Sequence, residues 1–185
     1  MNDDDAAALR GELDRAFAEL ARTLVGFDDV AARGPSLLPG WTRGHVLTHL
    51  ARNADGNRKM VEGAIAGEVR AQYPDGAEGR AADIETGAGR SAAELVEDLL
   101  DSQALLVAAW GRLPADGWDR LGDSFAFGPR PMTDGLRSRL RELLVHHVDL
   151  DDGFGPDDLP AAWVADSLDW LRRFRTAETW PGVAW

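Results

Sequence analysis

Cysteine is absent from the 185 residues. That removes disulfides, thiolate metal ligands and cysteine nucleophiles, so any sulfur chemistry would need a thiol supplied from outside. Basic charge is also short: 20 Lys and Arg face 32 Asp and Glu, for a formal net charge of −12. A phosphate-binding surface depends on clustered cations, so nucleic acid is not an expected partner. Lysine is nearly missing, with Lys59 the single example. Together with abundant Ala and Gly, this points to GC-rich coding rather than to function. Long apolar runs are lacking too. The longest, Ala104 to Trp110, is far too short for a bilayer, and the start Met-Asn-Asp-Asp-Asp has neither the basic leader nor the apolar stretch of a signal. A cytoplasmic chain with no membrane partner is expected.

What is present suffices for a core, since 44% of residues are hydrophobic and the length suits one domain over residues 1–185. Leu9, Leu13, Ala16, Leu20 and Leu24 recur at helical spacing, predicting an amphipathic helix from about Asp4 to Gly26. After the Pro39-Gly40 break, Thr42 is placed to cap a second helix over Arg43 to about Ala66. Residues 67–90 show no sustained period and read as a long surface loop with room for one short helical turn. Ser91-Ala92-Ala93-Glu94 fits a capping box for a third helix, stopped by Pro114. Residues 114–131 read as irregular, with Ser124 to Phe127 extended. Thr133 is then the expected cap of a fourth helix carrying Leu136, Leu140, Leu143, Leu144 and Val148, and a fifth runs from about Ala161 to Arg175. Four long helices with little strand signal make an all-α four-helix bundle the economical fold, with an additional C-terminal helix and long connecting loops.

Within the fourth helix, Glu142 and His146 lie four residues apart and offer donors on adjacent turns of one face. With His49 from the second helix they would close a metal site. Imidazole and carboxylate donors suit Zn²⁺, and three protein ligands leave a position open for Lewis-acid work. The same spacing also arises in ordinary helix-surface pairs, so both readings stand at this stage. His147 is turned about 100° further round the helix, toward a supporting or solvent-facing position. His45 is open between capping, packing and supporting a ligand. Asp149 is placed to orient the imidazole of His146 through its second nitrogen. Trp41 is open between lining the pocket and stapling the helix start, with stapling favoured by the sequence.

Two stretches carry a resemblance: Leu38-Pro39-Gly40-Trp41-Thr42-Arg43-Gly44-His45-Val46-Leu47-Thr48-His49-Leu50-Ala51-Arg52-Asn53-Ala54 and Arg139-Leu140-Arg141-Glu142-Leu143-Leu144-Val145-His146-His147-Val148-Asp149-Leu150. Both resemble signature segments of the mycothiol-dependent maleylpyruvate isomerases, members of the DinB-like metal-binding bundles. The similarity extends more weakly through Tyr73 and the segment from Glu78 to Ile84. It implies metal ligation by His49, Glu142 and His146, a loop arginine at Arg80 as carboxylate clamp, zinc as the metal and mycothiol as the thiol cofactor. The implied activity is cis-trans isomerisation of maleylpyruvate, in which a metal-bound thiolate adds to the electrophilic double bond, the new single bond rotates, and elimination restores the thiol. The implied partners are thus a small-molecule thiol and an electrophilic substrate. The family's C-terminal α/β domain, with its further arginine, is expected to be absent from a chain ending at Trp185. The alternatives are a mycothiol S-transferase acting on another electrophile and a non-catalytic metal- or ligand-binding bundle, with a homodimer formed through the aromatic tail of Trp180, Pro181 and Trp185.

Overall fold

The structure is a computed structural model and describes residues 3–176. The elements in order are α1 (Asp3–Thr23), α2 (Asp29–Arg33), α3 (Arg43–Ala66), α4 (Gly76–Ala88), α5 (Ala92–Gly111), β1 (Leu121–Ser124), β2 (Gly128–Pro131), α6 (Met132–Asp149) and α7 (Ala161–Thr176). The all-α expectation is borne out, with α1, α3, α5 and α6 as the long helices of the bundle. The aromatic tail of Trp180, Pro181 and Trp185 lies outside the described residues. No helix among the described residues is long and apolar enough to cross a membrane.

Helix α3 is the centre of the fold, packing on α5, α4 and α6, while α1 lies against α6. Val46, Leu47, Leu50 and Ala54 of α3 are buried against Leu95, Leu99 and Leu106 of α5 and Leu136, Leu140 and Leu143 of α6. Its start is fixed as the sequence indicates. Thr42 receives the amide of His45, and the His45 ring answers as a reciprocal cap, accepting the Thr42 amide through Nδ1 at 3.1 Å. Its end is fixed by Gly67 in the left-handed region, at φ 77°. Ser91 and Glu94 form the expected capping box at the start of α5.

Three expectations are corrected. The stretch 67–90 is not mainly loop, since residues 76–88 form α4. Only Ile84 and Ala88 of this helix are buried, so no apolar stripe announces it in the sequence. It sits tightly on α3: a Cβ at Gly44 would lie 2.4 Å from the Ala88 carbonyl oxygen, so glycine there is what permits the approach. Residues 114–131 hold a two-stranded antiparallel hairpin, with Leu121 opposite Pro131 and Ser124 opposite Gly128. The segment before α4 adds to it, as Gln72 donates its amide to the Asp123 carbonyl at 2.9 Å and Asp123 donates to Arg70 at 3.0 Å. Thr133 does not cap α6. Strand β2 runs directly into that helix, and its first turn has no side-chain cap.

One buried cation ties α3, α5 and α6 together. Arg139 is fully buried, and its guanidinium donates to the Leu50 carbonyl at 2.8 Å, to Asn53 at 3.0 Å, and twice to Gln103 Oε1 at 2.9 and 3.1 Å. These partners are all neutral oxygens.

Truncating Leu106, fully buried on α5, is expected to cost about 2–5 kcal/mol of stability through lost burial and a residual cavity. Urea denaturation of Leu106→Ala beside the wild type measures it, and a loss under about 1 kcal/mol would contradict the packing described.

Candidate metal centre

His49, projecting from the N-terminal third of α3, meets Glu142 and His146 from α6, and all three donor atoms lie within 4.8 Å of one another. His49 Nε2 is 2.9 Å from Glu142 Oε2 and 3.1 Å from His146 Nε2, and His146 Nε2 is 3.4 Å from the same carboxylate oxygen. Both imidazoles are buried, whereas the Glu142 side chain keeps 20% of its surface exposed, so the cluster opens to solvent on that side. The three side chains that the sequence singled out are therefore brought together.

The surroundings orient each ring. Asp149 lies 2.7 Å from His146 Nδ1, which turns Nε2 inward. Trp41 packs its ring 6.0 Å from His45, nearly parallel, and 5.7 Å from His49, forming one wall. His45 is a helix cap whose outer nitrogen meets Glu85 at 3.3 Å, so it stands outside the cluster. His147 is neither supporting nor solvent-facing. It is 1% exposed, lies 2.8 Å from Thr23 Oγ1, and stacks on Phe154 at 3.8 Å, joining α1 to α6 and to the loop after it.

Arg80, on α4, also converges. Its guanidinium lies over the rings of Tyr73 and Phe125 at 5.7 and 5.8 Å, and Nη2 is 3.0 Å from His49 Nδ1. Phe125 escaped sequence reasoning. It is brought in by the hairpin, and its only signal was an exposed aromatic at a turn. Because arginine can only donate, Nδ1 of His49 accepts here and its Nε2 carries the hydrogen that faces Glu142.

The electrostatics follow from burial and these contacts. Burial pushes His49 down to about 4 against the pull of Glu142. Burial also opposes charge on His146, but Asp149 and Glu142 outweigh it and raise that ring to about 9. Burial alone would raise Glu142; hydrogen bonds from His146 and His49 hold it well below the carboxylate range instead. A single hydrogen can lie between only one pair of these donors at a time, whereas a divalent cation can accept a lone pair from all three. Two imidazoles and one carboxylate form a donor set suited to such an ion, with a face left open.

Comparison with known proteins gives a consistent picture. The family model described as the mycothiol maleylpyruvate isomerase N-terminal domain matches residues 13–151. Among solved structures, the mycothiol-dependent maleylpyruvate isomerase superposes with a TM-score of 0.78 at 29% identity, and a mutant of it with the same score at 28%. Each match covers 85% of this chain and 66% of the relative, so the chain spans just under two thirds of their length. No curated protein matches significantly.

The two histidines give the metal-free protein a two-sided pH dependence. His146, raised from 6.5 to about 9, contributes stability that is fully present below pH 6.5 and is lost as pH rises toward 9. His49, depressed to about 4, contributes stability that is lost as pH falls from 6.5 toward 4. In metal-free protein, His146→Gln is expected to flatten the alkaline limb of the urea midpoint plotted against pH. An unchanged limb would contradict the charge assignment.

Proposed function

The chain belongs to the mycothiol maleylpyruvate isomerase N-terminal domain family, and from that premise we propose that it is a metal-dependent, mycothiol-using enzyme acting as a maleylpyruvate cis-trans isomerase. The observation that carries the reading is the convergence of His49, Glu142 and His146 from two helices within 4.8 Å. These three residues would hold the ion, and zinc suits the donors. When bound, such an ion supplies the Lewis acidity that keeps a thiol ionised near neutral pH, as a chain without cysteine requires of a thiol brought from outside.

The substrate chemistry needs no net oxidation. A sulfur–carbon bond forms as the π pair of the cis alkene moves toward the conjugated carbonyl, the resulting single bond rotates, and elimination returns the pair, expels the thiolate and leaves the trans alkene. The protein's part is to bind and orient. Arg80 is the carboxylate clamp, held over Tyr73 and Phe125 with Nη2 on His49 Nδ1. Asp149 fixes the His146 ring with Nε2 inward. For His49 to offer the Nε2 lone pair, its hydrogen must sit on Nδ1, so Arg80 must turn off that ring. Release from His49 and capture of a substrate carboxylate are then two halves of one movement.

Incubation of the purified enzyme with mycothiol and maleylpyruvate is expected to give fumarylpyruvate with the thiol regenerated. A stable thioether would favour the S-transferase reading, and stoichiometric metal with no turnover of thiol and electrophile pairs would leave a binding bundle. Arg80→Met is expected to lower kcat/KM by about 10–100-fold, the value of a charge-assisted hydrogen bond, without loss of metal. A variant with wild-type kcat/KM would remove Arg80 from the mechanism.

A further inference from the structure

The charge of this chain is distributed against its own excess at one place. A cleft of about 380 Å³ lies between the β1–β2 hairpin, the first half of α6 and the C-terminal half of α3. Among the described residues, three arginines line it, Arg130, Arg137 and Arg141, with Asp134 as the one acid. In a protein carrying −12, such a grouping needs a reason. Asp134 pairs with Arg137 at 3.6 Å, and one carboxylate stands against three guanidinium groups in the lining. Arg130 is laid over the Phe127 ring at 5.5 Å, and Arg141 Nη2 lies 3.5 Å from Ser138 Oγ, which places both guanidinium groups at the rim. Buried amides complete the lining: Asn57 is 3% exposed and Gln72 is 7% exposed. The uncapped first turn of α6 adds its partial positive charge to the same wall.

The cleft is set beside the metal centre. Ser138, which lines it, precedes Glu142 by one turn of α6, a separation of about 6 Å along the helix. Arg141 is adjacent to Glu142 in sequence. A small molecule reacting over the open side of the cluster would therefore bring a group four or five bonds away to the mouth of the cleft. Guanidinium groups there present paired donors that match a planar carboxylate.

We propose that this cleft is a carboxylate-binding subsite, in which Arg130 and Arg141 with Arg137 hold the end of an anionic small-molecule substrate remote from the reacting carbon. The assignment deepens the function proposed above and rests on it for the identity of the reacting end, while anion binding itself is independent of the metal. It also names specificity-determining residues distinct from Arg80, which lies on α4.

Calorimetric titration of maleate into the zinc-reconstituted full chain tests this, with metal content measured on each sample. Arg130→Gln and Arg141→Gln are expected to weaken maleate binding at least about tenfold, with zinc stoichiometry unchanged. Arg33→Gln, exposed on α2, is expected to bind as the wild type does, and the neutral diamide of maleate is not expected to bind. Wild-type affinity in both cleft variants, or no saturable binding of maleate by the wild type, would overturn the subsite. Arginine-dependent maleate binding by a chain that takes up no zinc would uphold the cleft while refuting the metal reading. Both variants change side chains at the rim rather than in the core, and coincident thermal melts will show that the fold is retained.

Discussion

The register between α3 and α6 is the constraint on which the site depends, and Arg139 is the group that sets it. This cation is buried without an acid in direct contact. Burial lowers its pKa to about 10, with Glu142 acting against the fall, so it stays charged at neutral pH. Enclosing a charge in this way is costly unless each donor finds an oxygen, and here the oxygens belong to two other helices, α3 and α5. One of them is the carbonyl of Leu50, the residue after His49. The guanidinium that emerges one turn before Glu142 therefore grips the backbone beside His49, and a sliding of either helix would leave several buried polar groups unpaired.

From that register the rest of the centre follows in layers. His49 and His146 face each other across the α3–α6 seam, with Asp149 and Trp41 fixing their rings. Helix α4 packs on α3 over Gly44, and the hairpin hooks onto the segment preceding α4 through Gln72 and Asp123. These two attachments bring Tyr73 and Phe125 together as an edge-to-face pair at 5.5 Å, and Arg80 lies over both. The hairpin thus serves two neighbouring functions, one strand end supporting Arg80 and the other carrying Arg130 to the mouth of the cationic cleft.

The bundle was legible in the sequence because α1, α3, α5 and α6 each carry a periodic apolar stripe, and Thr42 and Ser91 cap where their chemistry requires. Helix α4 was hidden because its small residues need only two buried positions to hold it on α3. The hairpin was hidden because Gly122, Gly128, Pro129 and Pro131 suppress any strand pattern, and its attachment through Asp123 is to a segment distant in sequence. At the site, the spacing of Glu142 and His146 gave their common direction, and His49 followed as the imidazole deepest in its helix. The surroundings of His147 were not legible, since periodicity gives an angle on a helix but not which helix, here α1, lies at that angle. The four-residue spacing of Arg137 and Arg141 was a readable signal for a cationic face, but nothing in the sequence showed that a hairpin would close a cleft over it.

The account stands or falls on whether three side chains from two helices share one ion. Elemental analysis of the wild type beside His49→Ala, Glu142→Ala and His146→Ala tests it most directly. The account predicts about one zinc per chain in the wild type and loss of most of it in each variant, because two remaining donors hold an ion poorly. Negligible metal in all four proteins, or equal metal in the wild type and His49→Ala, would contradict it.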